Sequence, residues 1–537
     1  MTTIGKFQQK ENKLRRRFGF MSVFVCVVSI VFCAQVYAND TIGKWRRYVV
    51  TMPNPSYSGN PFELEVDATF VHTQTGTSLS IPGYYAGNNE WEIAFMPTLL
   101  GEWTYKTFSS DSNLNGISGA VDAVDSGHPG MLKPASAHPK KWKFTDGNYV
   151  LPIGLLFSVF LESATPNQFT QAVDFLKNDV GGHLFNFRLT NRVFTGSYQN
   201  HQFDLTLWDQ LDERMEILTE RGLGVTIMPY TDGAGKPPWA AKSATEKLLI
   251  RYMIARLASF PVVSFNTGID ISEYRNAAWI NWYGQEVKSL DPYGHPLSSR
   301  YGGGSGNSVM SGQTYDSRGA STALINELVG FFQGVNVAVG VDDNWGEQFS
   351  SRGNFRPSDI RRAFWKCVMA GGLWSHVRDD SKTNFPGAND PDAWFHRNNM
   401  ASKLESEQWL KLINPFIEGN LGITYGEMVP ESSLVSNGYA MSDPNRSKIL
   451  YFLMGSNDKF DVGNGGAVTV KLTSISQNYL AKWFDTRSGN ETGLGIITGG
   501  QDHVLVPPST DDWVLLLSSA SQDQDPPAVP FGLQFQP

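Results

Sequence analysis

The chain has 537 residues, of which 41% are hydrophobic, 18% charged and 12% aromatic. That supply of apolar side chains excludes global disorder, and the 52 glycines follow no G-X-Y period, which excludes a collagen-like rod. A formal net charge of −8 repels phosphate backbones, so nucleic acid is not an expected partner.

The first 38 residues read as a secretion signal. Lys10, Lys13, Arg15, Arg16 and Arg17 form a basic region, residues 18–32 are almost wholly apolar, and Val36-Tyr37-Ala38 offers small residues for cleavage after Ala38. The apolar run is shorter than the ~20 residues of a spanning helix, so no membrane association is expected after cleavage. Losing this segment's six basic and one acidic residues takes the net charge from −8 to −13. The expected destination is the periplasm or the medium. Cys26 and Cys33 leave with the segment, so Cys367, inside the apolar run AFWKCVMAGG, has no partner for an intramolecular disulfide and is expected to be buried and inert.

Residues 39–125 alternate apolar and polar side chains in FELEVDATFVH (62–72) and EWEIAF (90–95), with turn clusters between, which predicts a β-sandwich. Over 126–418 the rhythm changes. Strand-like runs at 149–157, 183–189, 224–230, 262–268, 295–301, 310–316, 335–341 and 371–377 are interleaved with helical patterns at 171–180, 208–221, 244–257, 279–291 and 359–370. Eight strands with intervening helices predict a (β/α)8 TIM barrel, with an open doubly wound sheet as the alternative. A helical run at 402–419 leads to a second β region, 419–520, with strands at 447–455, 466–474, 479–485 and 512–519, expected to form an antiparallel β-sandwich. Residues 455–466, GSNDKFDVGNGG, read as a hairpin turn, because their spacing does not fit an EF-hand loop. Residues 521–537 read as a tail.

Chemistry in such a barrel sits at the C-terminal ends of the strands. Acids stand there in two places above all. GIDISEY follows the fourth strand and carries Asp270 and Glu273, and GVDDNWGEQF ends the seventh and carries Asp342 and Asp343. Two carboxylates across one cleft suit glycoside hydrolysis, one protonating the leaving oxygen while the other attacks carbon or activates water. Tyr230, Trp239, Tyr315, Trp345 and Trp374 are candidate platforms for sugar rings. Asn186 and Arg188 end the second strand, and Arg318 follows the sixth; all three suit hydroxyl or acidic groups. Trp279 and Trp365 lie in helical patterns and are assigned to the core. The sequence has no HExxH, P-loop, GxSxG elbow or GxGxxG opening a helix, so neither a metal nor a cofactor is expected.

These residues resemble a known arrangement. Asn60-Pro61-Phe62, residues 82–97 and GEWTY (101–105) look like a β-sandwich domain of unknown function that precedes bacterial glycosidase barrels. LPIG, VVSFNTGID, LDPYGHPLSSR (290–300) and DIRRAFWKCVMAGG resemble the apiosidase-like glycoside hydrolases. WFDTRSG (483–489) and VPPSTDDWVLLL (506–517) resemble the β-domain named collagen-binding in those proteins, and collagen binding itself is not carried over. The resemblance implies a polysaccharide or oligosaccharide substrate, an acid/base ending strand four and a nucleophile ending strand seven, here Asp270 and Asp343, with Asp342 and Glu273 as rivals.

The chain departs from that pattern. Ile269-Asp270 replaces the usual Asn-Glu, Asp342-Asp343 stands where Glu is usual, and Leu155 stands where Asp is common. Aspartate is one methylene shorter, and a displacement of about 1 Å costs ~100-fold in rate. Three outcomes fit: geometry rebuilt around Asp, inversion in place of retention, or lost catalysis leaving a carbohydrate-binding protein. A polysaccharide lyase built on Tyr315, Arg318 and His376 is a further, weaker reading that requires uronic acids in the substrate.

Overall fold

The computed structural model describes residues 40–156, 165–189, 193–230, 236–268, 271–300, 312–315, 338–344, 356–370, 373–377, 405–455 and 465–520. Residues 1–39, Asp270, Arg318, Trp345, most of residues 455–466 and residues 521–537 lie outside them.

The N-terminal region is two sheets face to face. Strands Asp40–Gly43, Ser118–Val124, Gly101–Ser109, Val66–His72 and Ser78–Pro82 form one, in that spatial order. Tyr48–Pro53, Glu90–Phe95 and Tyr84–Gly87 form the other. The alternation read from the sequence is real, since every second residue of Val66–His72 is buried. Phe70 stacks on Phe95 with ring centroids 4.0 Å apart, and the Trp103 of GEWTY packs beneath them. The strand begins later than expected, at Val66. Asn60 caps a 3-10 turn over Pro61–Glu63, its side-chain oxygen accepting from the Phe62 N–H at 3.3 Å, and Pro61 presets the turn's backbone.

That turn is a plug. Phe62 sits among Tyr85, Phe203 and Tyr252, joining the N-terminal sheets to the helical layer behind them. Around it, Gln202 donates to the Asn60 side-chain oxygen at 3.0 Å and His201 meets Glu63 at 2.7 Å. Deeper in, Arg47 reaches Asp212 at 3.2 Å and donates to Tyr84 at 2.6 Å, while Arg256 donates to Asp212 at 3.1 Å. Phe62→Ala empties an aromatic pocket shared by three rings, and is expected to cost about 3–5 kcal/mol in urea unfolding.

The central region is a ring of parallel strands: β1 Ile153–Leu156, β2 Leu184–Arg188, β3 Gly224–Met228, β4 Val263–Asn266, β5 Leu297–Arg300, β6 Gly312–Tyr315, β7 Ala338–Asn344 and β8 Leu373–Val377. Each pairs with the next, and β1 closes on β8 through Ile153↔Trp374 to Leu156↔Val377. Helices α1 Pro166–Phe175, α2 Leu205–Arg221, α3 Ala244–Leu257, α4 Ala277–Leu290 and α5 Pro357–Ala370 follow β1, β2, β3, β4 and β7. The segments after β5 and β6 lie outside the described residues. Strands buried on both sides lose alternation, as in β3, where all five residues are buried. The helices start at side-chain caps, with Asp204, Ser243 and Asn276 accepting from N–H groups of the first turn, and α2 stops at Gly222 in the left-handed region. Cys367, on α5, is buried, and burial pushes its thiol well up. LDPYGHPLSSR forms the entry to β5: Asp291 accepts from the N–H groups of Tyr293 and His295, and the Tyr293 hydroxyl accepts from the Met96 N–H at 2.8 Å.

After α5, helical turns at Glu405–Leu410 and Ile413–Phe416 lead to a six-stranded sheet. Its spatial order is Val429–Pro430, Tyr439–Ser442, Lys448–Leu453, Trp513–Ser519, Tyr479–Asp485, Glu491–Ile497. A two-stranded ribbon, Val468–Val470 with His503–Leu505, shares a core with one face of it. The other face meets α5, where Trp365 contacts Phe452 and Phe484. Trp513–Ser519 is therefore buried along its whole length, which is why its sequence reads as one apolar run. Asp512, just before it, accepts from Arg361 at 3.1 and 2.5 Å and from Arg362 at 2.6 Å, both on α5, and from the Gly455 N–H at 2.7 Å.

One buried charge stands out between the N-terminal sheets and the C-terminal connection. Lys141 has its Nζ 4.3 Å from the ring centre of buried Tyr425, and burial pushes its ammonium down from 10.5 to about 7. The unfolded chain keeps that proton up to about 10.5, so between about 7 and 10.5 it binds more protons than the folded one and stability rises with pH. Lys141→Met is expected to be more stable than wild type below pH 7 and to lose this rise, as read from urea midpoints at pH 6, 8 and 10.

Candidate functional site

In a closed ring of parallel strands all C-terminal ends share one rim. Asp342 and Asp343 are the fifth and sixth residues of the seven-residue β7, and Tyr315 ends β6. Asn186 and Arg188 are the third and fifth residues of β2, and Trp374 is the second of β8. Asp270 follows β4 by four residues.

The β7 ladder is irregular where the two aspartates stand. Val341 pairs with Trp374, but the next partner of β8 is Asn344, opposite His376. Two residues of β7, Asp342 and Asp343, thus oppose the single Ser375. Such a bulge bends the strand and breaks the strict alternation of faces, a device common beside active sites.

Side chains are described in the β3–β4 sector of the rim. Asn266, at the end of β4, is fully buried; its side chain accepts from the Gly268 N–H at 2.8 Å and donates to the Ser298 hydroxyl at 2.9 Å. Thr267 donates to Ser299 at 3.1 Å, and Thr226 pairs with Ser264 at 2.9 Å. These short polar side chains knit β3, β4 and β5 together. Gly268 has a φ of +129°, and a Cβ there would lie 2.8 Å from the Tyr230 carbonyl oxygen, so only glycine lets the chain pass into the Asp270 segment.

Glu273 ends the short 3-10 turn Ile271–Glu273. Its side chain is 56% exposed, with Lys236 at 4.0 Å. Beneath it, Glu246 is fully buried near the start of α3. Its carboxylate accepts from the Lys242 N–H at 2.5 Å and from the Trp279 indole at 3.0 Å, with Arg275 at 3.6 Å. Sequence reasoning passed over Glu246, although Ser243-Ala244-Thr245-Glu246 is a capping-box spacing that could have marked it. Burial, with the Glu246 charge beside it, pushes the Tyr230 phenol far up, so it stays protonated.

This sector corrects two expectations. Tyr230 and Trp239 are not free platforms: they are 1% and 6% exposed and pack against each other and against Trp279, Phe194 and Tyr198. Their rings are consumed in bracing the loops after β2, β3 and β4. Trp279 and Trp365 are core residues, as assigned. Among the described residues no cluster of potential ligands could hold a metal ion, and no helix is long and apolar enough to cross a membrane.

A closed ring of parallel strands, most of those with a described following segment followed by a helix, is a barrel architecture that hosts many chemistries. Residues 41–110 match the family model of the domain of unknown function DUF5060. A candidate glycoside hydrolase from Bacteroides vulgatus has 16% identity and a TM-score of 0.72, covering 90% of this chain and all (100%) of its own. A family 5 glycoside hydrolase from the same organism has 15% identity and a TM-score of 0.61, covering 75% of this chain and 96% of its own. A further glycoside hydrolase has 14% identity and a TM-score of 0.59, covering 74% and 98%. At these identities the likeness is one of fold. No protein of curated function matches the chain.

Proposed function

We propose that this chain is an exported, apiosidase-like glycoside hydrolase that cleaves a polysaccharide or its oligosaccharides with a pair of carboxylates. The domains run 39–125 (β-sandwich), 126–418 (a complete (β/α)8 barrel) and 419–520 (β-sandwich), after a signal peptide over 1–38. Asp270 is the general acid/base and Asp343 the nucleophile or base; Asp342 is the alternative to Asp343, and Glu273 the alternative to Asp270. Asn186, Arg188, Tyr315, Arg318, Trp345 and Trp374 line the substrate cleft.

The observation that carries this reading is the bulge at Asp342-Asp343. It sits at the C-terminal end of the seventh strand, where a barrel glycosidase needs a carboxylate, and a bulge can re-aim a side chain to make up for a shorter residue. The glycosidase-like fold supports it independently. The test is product release by the mature chain across plant, bacterial and algal polysaccharides, with glycan binding measured on the same panel. Cleavage that falls at least ~100-fold in Asp270→Asn upholds the acid assignment. Cleavage that survives Asp270→Asn moves the role to Glu273. Tight binding without any product means a carbohydrate-binding protein on a glycosidase scaffold.

A further inference from the structure

A cavity lies at the other end of the ring. It has a volume of 610 Å³, within the range of about 300–1,000 Å³ typical of small-molecule sites. Gly181, Gly182 and His183 lead directly into β2, and Gly222 and Leu223 into β3, so the cavity opens at the N-terminal rim, away from the catalytic acids. The N-terminal region supplies Arg46, the stretch between it and the ring supplies His128, Phe144 and Tyr149, and the connection after the ring supplies Lys411 and Glu418. These parts of the chain thus meet around one space.

The charges in its wall do not balance. Arg46, Lys177, Arg221 and Lys411 face only Glu220 and Glu418. Arg221 is satisfied by Asp174 at 2.6 Å. Lys177 donates to the Arg221 carbonyl at 2.8 Å, with the Asp174 carboxylate within electrostatic reach. Glu418 is engaged by the Asn148 amide at 2.8 Å. Arg46 and Lys411 form no ion pair within 4.0 Å among the described residues; the Glu216 carboxylate lies within electrostatic reach of Arg46, and the two cations still line the cavity.

Its uncharged groups suit hydroxyls and ring faces. His128 accepts from the Gly130 N–H on Nδ1 at 3.0 Å, which leaves the proton on Nε2; the Thr219 carbonyl lies near that nitrogen without completing a hydrogen bond of normal geometry. His183 has the Asn414 amide 3.4 Å from its Nδ1, so its Nε2 is likewise the N–H side. Burial holds both imidazoles down to about 4, so they remain neutral donors at pH 7. Asn178 is an exposed amide at the mouth, and half-buried Phe144 and Tyr149 give the wall its aromatic surface.

Neutral N–H donors, aromatic surface and two cations without a close ion-pair partner together match one chemistry. We propose that this cavity is a second, non-catalytic site that binds a short carboxylate-bearing saccharide. Arg46 and Lys411 meet the carboxylate, His128, His183 and Asn178 meet hydroxyls, and Tyr149 flanks a ring face. The proposal does not rest on catalysis at the opposite rim.

The test is calorimetric binding of trigalacturonate to the mature chain carrying Asp270→Asn and Asp343→Asn, with maltotriose as the neutral control and inorganic phosphate as the simple anion. Saturable binding of trigalacturonate is expected, at least 10-fold tighter than maltotriose. It should weaken at least 10-fold in Lys411→Glu and again in Arg46→Glu. Lys411 is exposed and Arg46 half-buried, and circular dichroism checks that the fold is kept. No saturable binding overturns the proposal, as does binding indifferent to both charge reversals. Phosphate binding as tightly as trigalacturonate overturns the saccharide assignment and leaves a simple anion site. Because the catalytic acids are already removed, none of these outcomes depends on the hydrolase reading.

Discussion

Asp512→Ala is expected to destabilise the chain by about 3–5 kcal/mol, because it removes a buried carboxylate that two buried guanidinium groups share. Asp512 is completely buried, and the side chains of Arg361 and Arg362 are only 4% and 5% exposed. Both arginines lie on α5, while Asp512 opens the central strand of the C-terminal sheet. The carboxylate is thus the electrostatic pin between ring and sheet, and the Trp365 cluster is the apolar part of the same joint. Desolvating three charges costs so much that the intact triad adds little net stability, but removing one member leaves the cost of the others uncompensated. Asp512→Asn keeps an acceptor and is expected to fall between wild type and Asp512→Ala. The control is Asp511→Ala. Asp511 pairs with Arg487 but is 48% exposed, so its loss is expected to cost under about 1 kcal/mol. Urea unfolding followed by tryptophan fluorescence reads all three, and a cost below about 1 kcal/mol for Asp512→Ala would refute the pin.

The same contact shows why some of the fold was legible in the sequence. DIRRAFWKCVMAGG and VPPSTDDWVLLL are far apart in the chain, yet Arg361, Arg362 and Asp512 make them one structural unit. All eight strand-like runs of the middle region coincide with ring strands, because each is a short apolar run bounded by turn residues. The helices matched where an end signal was strong, as at Asp204 and Gly222. What failed was local chemistry overriding pattern. The apolar–polar alternation continues through Phe62, but Asn60 and Pro61 fold that stretch into a turn. Pattern alone makes Tyr230 and Trp239 sugar platforms, because aromatic residues near strand ends often are. Whether such a ring faces a ligand or another ring depends on partners distant in sequence, here Trp279 and Phe194. Glu246 escaped notice for the same reason: a charged residue is expected at the surface, and its burial becomes visible only once Arg275, Trp279 and the Lys242 N–H surround it.

The bulge turns the choice between Asp342 and Asp343 into a second large prediction. In a regular strand, neighbouring residues point to opposite faces, so only one of two adjacent acids could serve a cleft. Across the skip from Val341 to Asn344 that rule no longer separates them. The reading that gives Asp343 the role expects Asp343→Asn to lose at least ~100-fold in kcat/KM on the glycan found by the panel, and Asp342→Asn to lose under ~10-fold. The reverse pattern transfers the role to Asp342. Asp343→Glu tests the rebuilt geometry directly. If the bulge compensates for the shorter aspartate, the added methylene overshoots by about 1 Å and costs ~100-fold, whereas a position still shaped for glutamate would gain activity. The anomer released by wild type then reports the spacing of the two carboxyls. Retention requires about 5–5.5 Å, and inversion about 6.5–9.5 Å to admit a water. Shortening both acids from Glu to Asp while leaving the backbone alone would widen that gap toward inversion, and a bulge that advances one of them narrows it again. A retained anomer together with loss of activity in Asp343→Glu is therefore the expected result.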